Sequence, residues 1–184
     1  MATTTTMTGA AFDQLPYEEG RNLELLQGEL IVVPSPTPEH QMIVGGLYVS
    51  FVECFRREPG GGALLDSEFV LGRDDRLRSD VAVLLGERWV CLDLKKTPIT
   101  VAPDIAVEVI SPSERTAESD RKVSTYLAVG TQEVWQFYPE SQKVFVYRGP
   151  KSVTPLYIDD SLSTPLLPGW ELPLREIFTT KPKL

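Results

Sequence analysis

Glu108 lies in Asp104-Ile-Ala-Val-Glu-Val-Ile110, flanked by apolar residues at both alternating positions. A strand of that pattern is buried on both faces. An ionised carboxylate there is costly unless it is paired, hydrogen-bonded or bound to metal. One reading is a core glutamate salt-bridged to Arg or Lys. A functional acid is the stronger reading, because Glu is almost never fully buried without a partner. Asp80 precedes Val-Ala-Val-Leu-Leu85. An aspartate at a strand start often makes only a turn hydrogen bond, so Asp80 gains its weight from the pairing with Glu108. Two carboxylates on neighbouring strands repel unless a cation or proton lies between them. Mg²⁺ is held by one or two carboxylates, waters and phosphate oxygens. That combination is what a phosphodiester hydrolase needs.

Lys122 follows Glu118 by one helical turn and precedes Tyr126 by another. Standing alone it would be half of an i,i+4 pair on a solvated face. Beside the two acids, its ammonium would orient an attacking water or steady developing phosphorane charge. His40 is the only histidine; a capping or packing role is the commoner one for such a residue. Glu29 follows the glycine of a hairpin, where glutamate is usually just solvated. Arg73, Arg76 and Arg78 crowd the approach to Asp80. Such a turn normally serves solubility, and beside a metal site it would hold phosphates. A serine hydrolase fits poorly, since no G-x-S-x-G elbow is present. Neither cysteine has an activating neighbour in sequence.

The elements that must position these residues follow from the hydrophobic pattern. Leu23–Leu26 and Leu30–Val33 flank Gln27-Gly28 and predict a hairpin. Pro34-Ser-Pro-Thr-Pro38 ends it. Ile43, Leu47, Phe51 and Phe55 then recur every four residues, predicting a helix from Glu39 to about Arg57 that stops at Pro59-Gly-Gly-Gly62. A short strand is expected over Glu68–Leu71, then a charged turn, then a buried strand over Val81–Leu85 with Asp80 at its entrance. The segment 86–103 reads as irregular, and 104–110 as the most strand-like stretch. Ser111-Pro-Ser-Glu114 fits a capping box with Pro at the first helical position, opening a helix that runs to about Val129 with Gly130 as its cap. Two strands, Val134–Tyr138 and Val144–Arg148, and an extended tail with one helical turn near Phe178 complete the chain. An α-β-β-β-α-β centre with helices flanking a mixed sheet, an α/β (α+β) fold, is the economical architecture.

A chain of 184 residues predicts one domain with a core that needs no disulfides. Residues 1–11 read as a disordered tail and 12–184 as the folded domain. Cys54 and Cys91 are expected as free thiols in a reducing cytoplasm. No apolar run approaches the roughly 20 residues of a membrane span. The net charge of −8 runs against a nucleic-acid partner, although a local basic face can coexist with an acidic whole.

Five motifs in order, LELLQGELIVVPSPTPEHQ, RSDVAVL, PDIAVEVISPSER, DRKVSTYLAVGTQEVW and LLPGWELPLREIF, make the chain resemble the Uma-two family of restriction-endonuclease-like proteins in the PD-(D/E)XK superfamily. The resemblance runs from about Leu23 to Phe178. It implies a restriction-endonuclease-like fold, an Mg²⁺ or Mn²⁺ cofactor and a DNA substrate. The superfamily's aspartate falls on Asp80 and its acidic partner on Glu108, with the Val109 backbone carbonyl as a further metal ligand. Ile110 occupies the place of the in-strand lysine, whose role passes to Lys122. Ser79 stands where the superfamily has proline. Glu29 and His40 match family-typical positions. By analogy, cutting both strands of a duplex favours a two-fold enzyme, which makes a homodimer an option. The alternative is a catalytically inactive module that binds DNA or protein; the acidic balance and the missing in-strand lysine favour it.

Overall fold

The computed structural model describes residues 6–16, 18–112 and 114–178. Helix α1 (Gly9–Phe12) precedes a hairpin of β1 (Asn22–Leu26) and β2 (Glu29–Val33). Gln27 and Gly28 turn it with φ of 53° and 79°, the left-handed pair that a two-residue hairpin loop demands. Helix α2 (Pro38–Arg57) follows, capped by the Thr37 hydroxyl. Strands β3 (Gly61–Val70) and β4 (Arg76–Leu85) pair along their length, and α3 (Gly86–Val90) leads towards β5 (Ile105–Val109). Helix α4 (Thr116–Ala128) crosses to β6 (Glu133–Tyr138), which runs parallel to β5. Strands β7 (Lys143–Tyr147) and β8 (Val153–Tyr157) extend the sheet antiparallel. A small ribbon of β9 (Ser161–Ser163) and β10 (Glu171–Pro173) leads into α5 (Leu174–Phe178).

The main sheet has the order β2-β1-β4-β5-β6-β7-β8, with β3 also on β4. It is mixed and flanked by helices, as expected. Ile43, Leu47 and Phe51 of α2 pack on one face with Val81, Val83, Val107, Trp135 and Trp170. Val123 and Tyr126 of α4 pack on the other with Leu77, Ala82, Leu84 and Ala106. Alternation along Val81–Leu84 and along β5 sends odd residues towards α2 and even residues towards α4, while Leu77 faces α4. All five residues of β5 are buried, as the run of apolar residues predicted.

Five expectations change. The segment 86–103, read as irregular, opens with α3. β3 is ten residues long, where four were expected. Helix α2 ends before the glycines, as expected, but Gly61 and Gly62 also begin this strand, and Gly62 lets Trp89 pack on the backbone, since a Cβ there would stand 2.3 Å from its ring. Asp80 lies inside β4, not at its entrance, because the ladder with β3 continues to Arg76. The capping box does not open α4. Glu114 N–H closes a turn on the Ser111 carbonyl, and the helix starts at Thr116 with Arg115 as an N-cap residue that makes no side-chain cap bond; Ser113 lies outside the described residues. The disordered tail does not extend over residues 6–11. Met7 N–H donates to Gly28 O, Gly9 N–H donates to Asp74 Oδ1, and Gly9 is buried. Residues 1–5 lie outside the described residues.

Arg76 fastens this N-terminal segment. Its guanidinium is buried and makes two bonds of 2.8 Å to Asp13, plus bonds to the Gly72 and Asp75 carbonyls. It is a cross-link and does not line the cleft described below. Asp13→Ala is expected to lower stability by about 1.5–3 kcal/mol, the usual worth of hydrogen bonds to a charged group; urea denaturation measures it.

Candidate active site

The register of β4 and β5 pairs Val81 with Val107. Asp80 and Glu108 are the next residues beyond that pair, and both line one cleft, with Asp80 reaching His40 of α2 and Glu108 reaching Lys122 and Tyr126 of α4. Asp80 Oδ2 accepts the Val109 N–H at 2.6 Å, and Oδ1 lies 3.1 Å from His40 Nε2. Glu108, 4% exposed, accepts the Tyr126 hydroxyl at 2.9 Å and the Lys122 ammonium at 3.3 Å. Lys122, 6% exposed, makes a shorter ion pair of 2.8 Å with Glu24. The other oxygen of Glu24 accepts the Arg78 N–H at 2.8 Å and ties β1 to β4.

The cluster carries more carboxylates than cations, and its proton affinities follow. Burial pushes the Glu108 carboxyl well above the usual carboxylate range; Lys122 opposes this, and the charges of Asp80, Glu24 and Glu114 add to it. Burial likewise raises Glu114. Burial alone would lower Lys122, but the fields of Glu108, Glu24 and Glu114 raise it well above a normal lysine. Burial would lower His40 too; its hydrogen bond and charge contact with Asp80, with the Val109 backbone and Asp66, raise it overall. Burial leads in raising the two carboxyls, whereas the surrounding carboxylates overcome burial to raise Lys122 and His40.

The cleft over this cluster has a volume of about 780 Å³. Asp80, Glu108, Val109, Lys122, Glu29, His40 and Arg78 all line it. Glu29 stands near its rim, paired with Arg121 at 2.8 Å. Arg73 is exposed and outside the cleft lining. Arg78 lines the cleft with its guanidinium on Glu68 at 3.2 Å and near Asp66 at 3.6 Å. Three residues of the site went unread in the sequence. Glu24 carries the same signal as Glu108, an acid between apolar residues of a strand. Asp66 stands across from Asp80 in the β3–β4 register with φ of 45°, which no local pattern marks. Glu114 is drawn into the cleft, whereas its sequence suggested a cap.

Among the described residues no three His, Cys, Asp or Glu side chains form a ready-made metal cage. The donors expected from the sequence, two carboxylates and a backbone carbonyl, would suit a hard cation that keeps several waters and completes its shell with substrate oxygens, and they do not match a closed structural zinc site. Each carboxylate oxygen has a second lone pair beyond the N–H or O–H bond described above.

The mixed sheet between α2 and α4, with Glu108 buried on β5 and Asp80 half-buried within β4, places the molecule in the structural class of a solved nuclease-like fold. A crystal structure described as a putative nuclease belonging to DUF820, from Anabaena variabilis, is similar to it with a TM-score of 0.83 and 23% identity, over 95% of this chain and 98% of that one. The family model Uma2, described as "Putative restriction endonuclease", matches residues 10–175. The chain belongs to the Uma2 family, as its motifs suggested. No curated protein matches it. No helix of the described residues is long and apolar enough to cross a membrane.

Proposed function

We propose that the protein is a metal-dependent nuclease that hydrolyses phosphodiester bonds of DNA, using Asp80, Glu108 and Lys122. The observation that carries this reading is the buried Glu108 carboxylate, 3.3 Å from the buried Lys122 ammonium in a cleft that Asp80 also lines. Asp80 Oδ1, Glu108 and the Val109 carbonyl would hold Mg²⁺ or Mn²⁺. When bound, the ion lowers the pKa of a water and neutralises charge on the scissile phosphate. Lys122, anchored by Glu24, orients the attacking water and faces the developing negative charge. His40 and the Val109 N–H fix the rotamer of Asp80. In the reaction a P–O bond to water forms and one ester P–O bond breaks. The water's proton ends on the departing alkoxide.

The test is cleavage of plasmid and short linear DNA in Mg²⁺ or Mn²⁺ by the wild type and Asp80→Ala. Metal-dependent cleavage by the wild type alone is expected; equal rates in the two proteins would sink the assignment. A second reading, an inactive nuclease-fold module, is favoured by one observation. Lys122 and His40 already stand against the two acids, so charge is partly balanced without a metal. Calorimetric titration separates the readings: no heat at millimolar Mn²⁺ supports the inactive module.

A further inference from the structure

The cleft is built unlike a surface that follows a nucleic-acid backbone. Among the described residues, nine acidic side chains line it against three basic ones, His40 apart. Two of the three bases are engaged within the protein. Arg78 is held by Glu68 and Asp66, and Lys122 by Glu24 and Glu108. Arg115, exposed at the start of α4, carries no ion pair among the described residues. Among the described residues no Phe, Tyr or Trp lines the cleft; its apolar lining includes the exposed Val32 and Leu65. A protein that tracks duplex DNA neutralises on the order of 6–10 phosphates with Lys and Arg. One that tracks a single strand adds aromatic platforms for the bases. This cleft offers neither. Its volume of about 780 Å³ falls within the roughly 300–1,000 Å³ of small-molecule sites.

We infer that the site takes a nucleotide-scale phosphodiester, a strand end or a short oligonucleotide. It is gripped at the scissile phosphate and at one neighbouring phosphate on Arg115. This rests on the phosphodiester chemistry proposed above and narrows its substrate. Phosphates beyond those two meet carboxylates, so further nucleotides add no electrostatic attraction. Strand ends and free oligonucleotides present the same chemistry, and a blocked-end substrate tells them apart.

The test measures kcat/KM in Mn²⁺ for a dinucleotide, a tetranucleotide, a single strand of about 20 nucleotides, the same strand circularised, and plasmid, over a range of NaCl. The rate is expected to level off by the tetranucleotide, with a log–log salt slope no steeper than about −1.4, two phosphates at roughly −0.7 each. Arg115→Ala is expected to raise KM and flatten that slope by about 0.7. Loss of cleavage on the circle alone assigns the site to strand ends; retained cleavage assigns it to internal bonds of short strands. A rate that climbs with length, with plasmid preferred and a slope steeper than about −4, would overturn the inference and leave the nuclease reading standing. No cleavage of any substrate by the wild type would overturn both.

Discussion

Lys122→Met is expected to destabilise the protein by about 3–5 kcal/mol, the cost of leaving buried charge without its partner. The ammonium lies 2.8 Å from Glu24 and 3.3 Å from Glu108, and both carboxylates are almost wholly buried. Methionine keeps the length and the apolar stem of the side chain but removes the charge. Glu24 then retains the Arg78 N–H, and Glu108 retains the Tyr126 hydroxyl. Neither donor is cationic. The effect is largest at alkaline pH and shrinks in mild acid, where Glu108, whose proton affinity burial already raises, takes up a proton. Urea denaturation at about pH 5 and about pH 8 measures both quantities. A second variant, Glu24→Gln with Lys122→Met, should recover part of the loss because one stranded charge is gone. A single variant as stable as the wild type at both pH values would show that the ion triad does not hold this part of the fold.

Glu108→Gln separates function from stability. Cleavage is expected to fall by about a hundredfold or more, because an anionic ligand is removed from where the proposed metal and scissile phosphate meet. The metal-free protein is expected to become more stable at neutral pH, because the amide keeps the shape of the side chain and removes a charge facing Asp80, Glu24 and Glu114. The pH dependence follows with a definite sign. Glu108, Glu114 and His40 all have raised proton affinity in the folded state. Between the ordinary pKa of each group and its raised value, the folded protein binds more protons than the unfolded chain, so stability falls as pH rises. Asp13, lowered by its hydrogen bond to Arg76, acts oppositely but only in strong acid. The melting temperature of the metal-free wild type should therefore decline from about pH 5 to about pH 8, with a shallower decline in Glu108→Gln. A steeper decline in the variant would mean that Glu108 is not the group releasing the proton.

The sequence by itself determined the sheet's central strand, both long helices and the hairpin, through short-range information: alternation, four-residue spacing and a turn dipeptide. Glu108 stood out as an acid in an apolar run, whereas Asp80 drew its weight from the pairing with Glu108 and Lys122 from the family resemblance. Glu108 had to be buried because its neighbours are, and a buried acid requires a partner. Which partner was settled only in three dimensions. Lys122 is joined to Glu24 from the far end of the chain, and the hairpin reaches it only because β1 docks beside β4. Arg76 showed the same separation in the other direction. Its place in a charged turn suggested a phosphate contact, but Asp13 draws it under the N-terminal segment. The cleft's acidity was hidden as well, since it depends on which acids share one wall. Local pattern decides what a residue must be satisfied by; only packing decides which residue satisfies it.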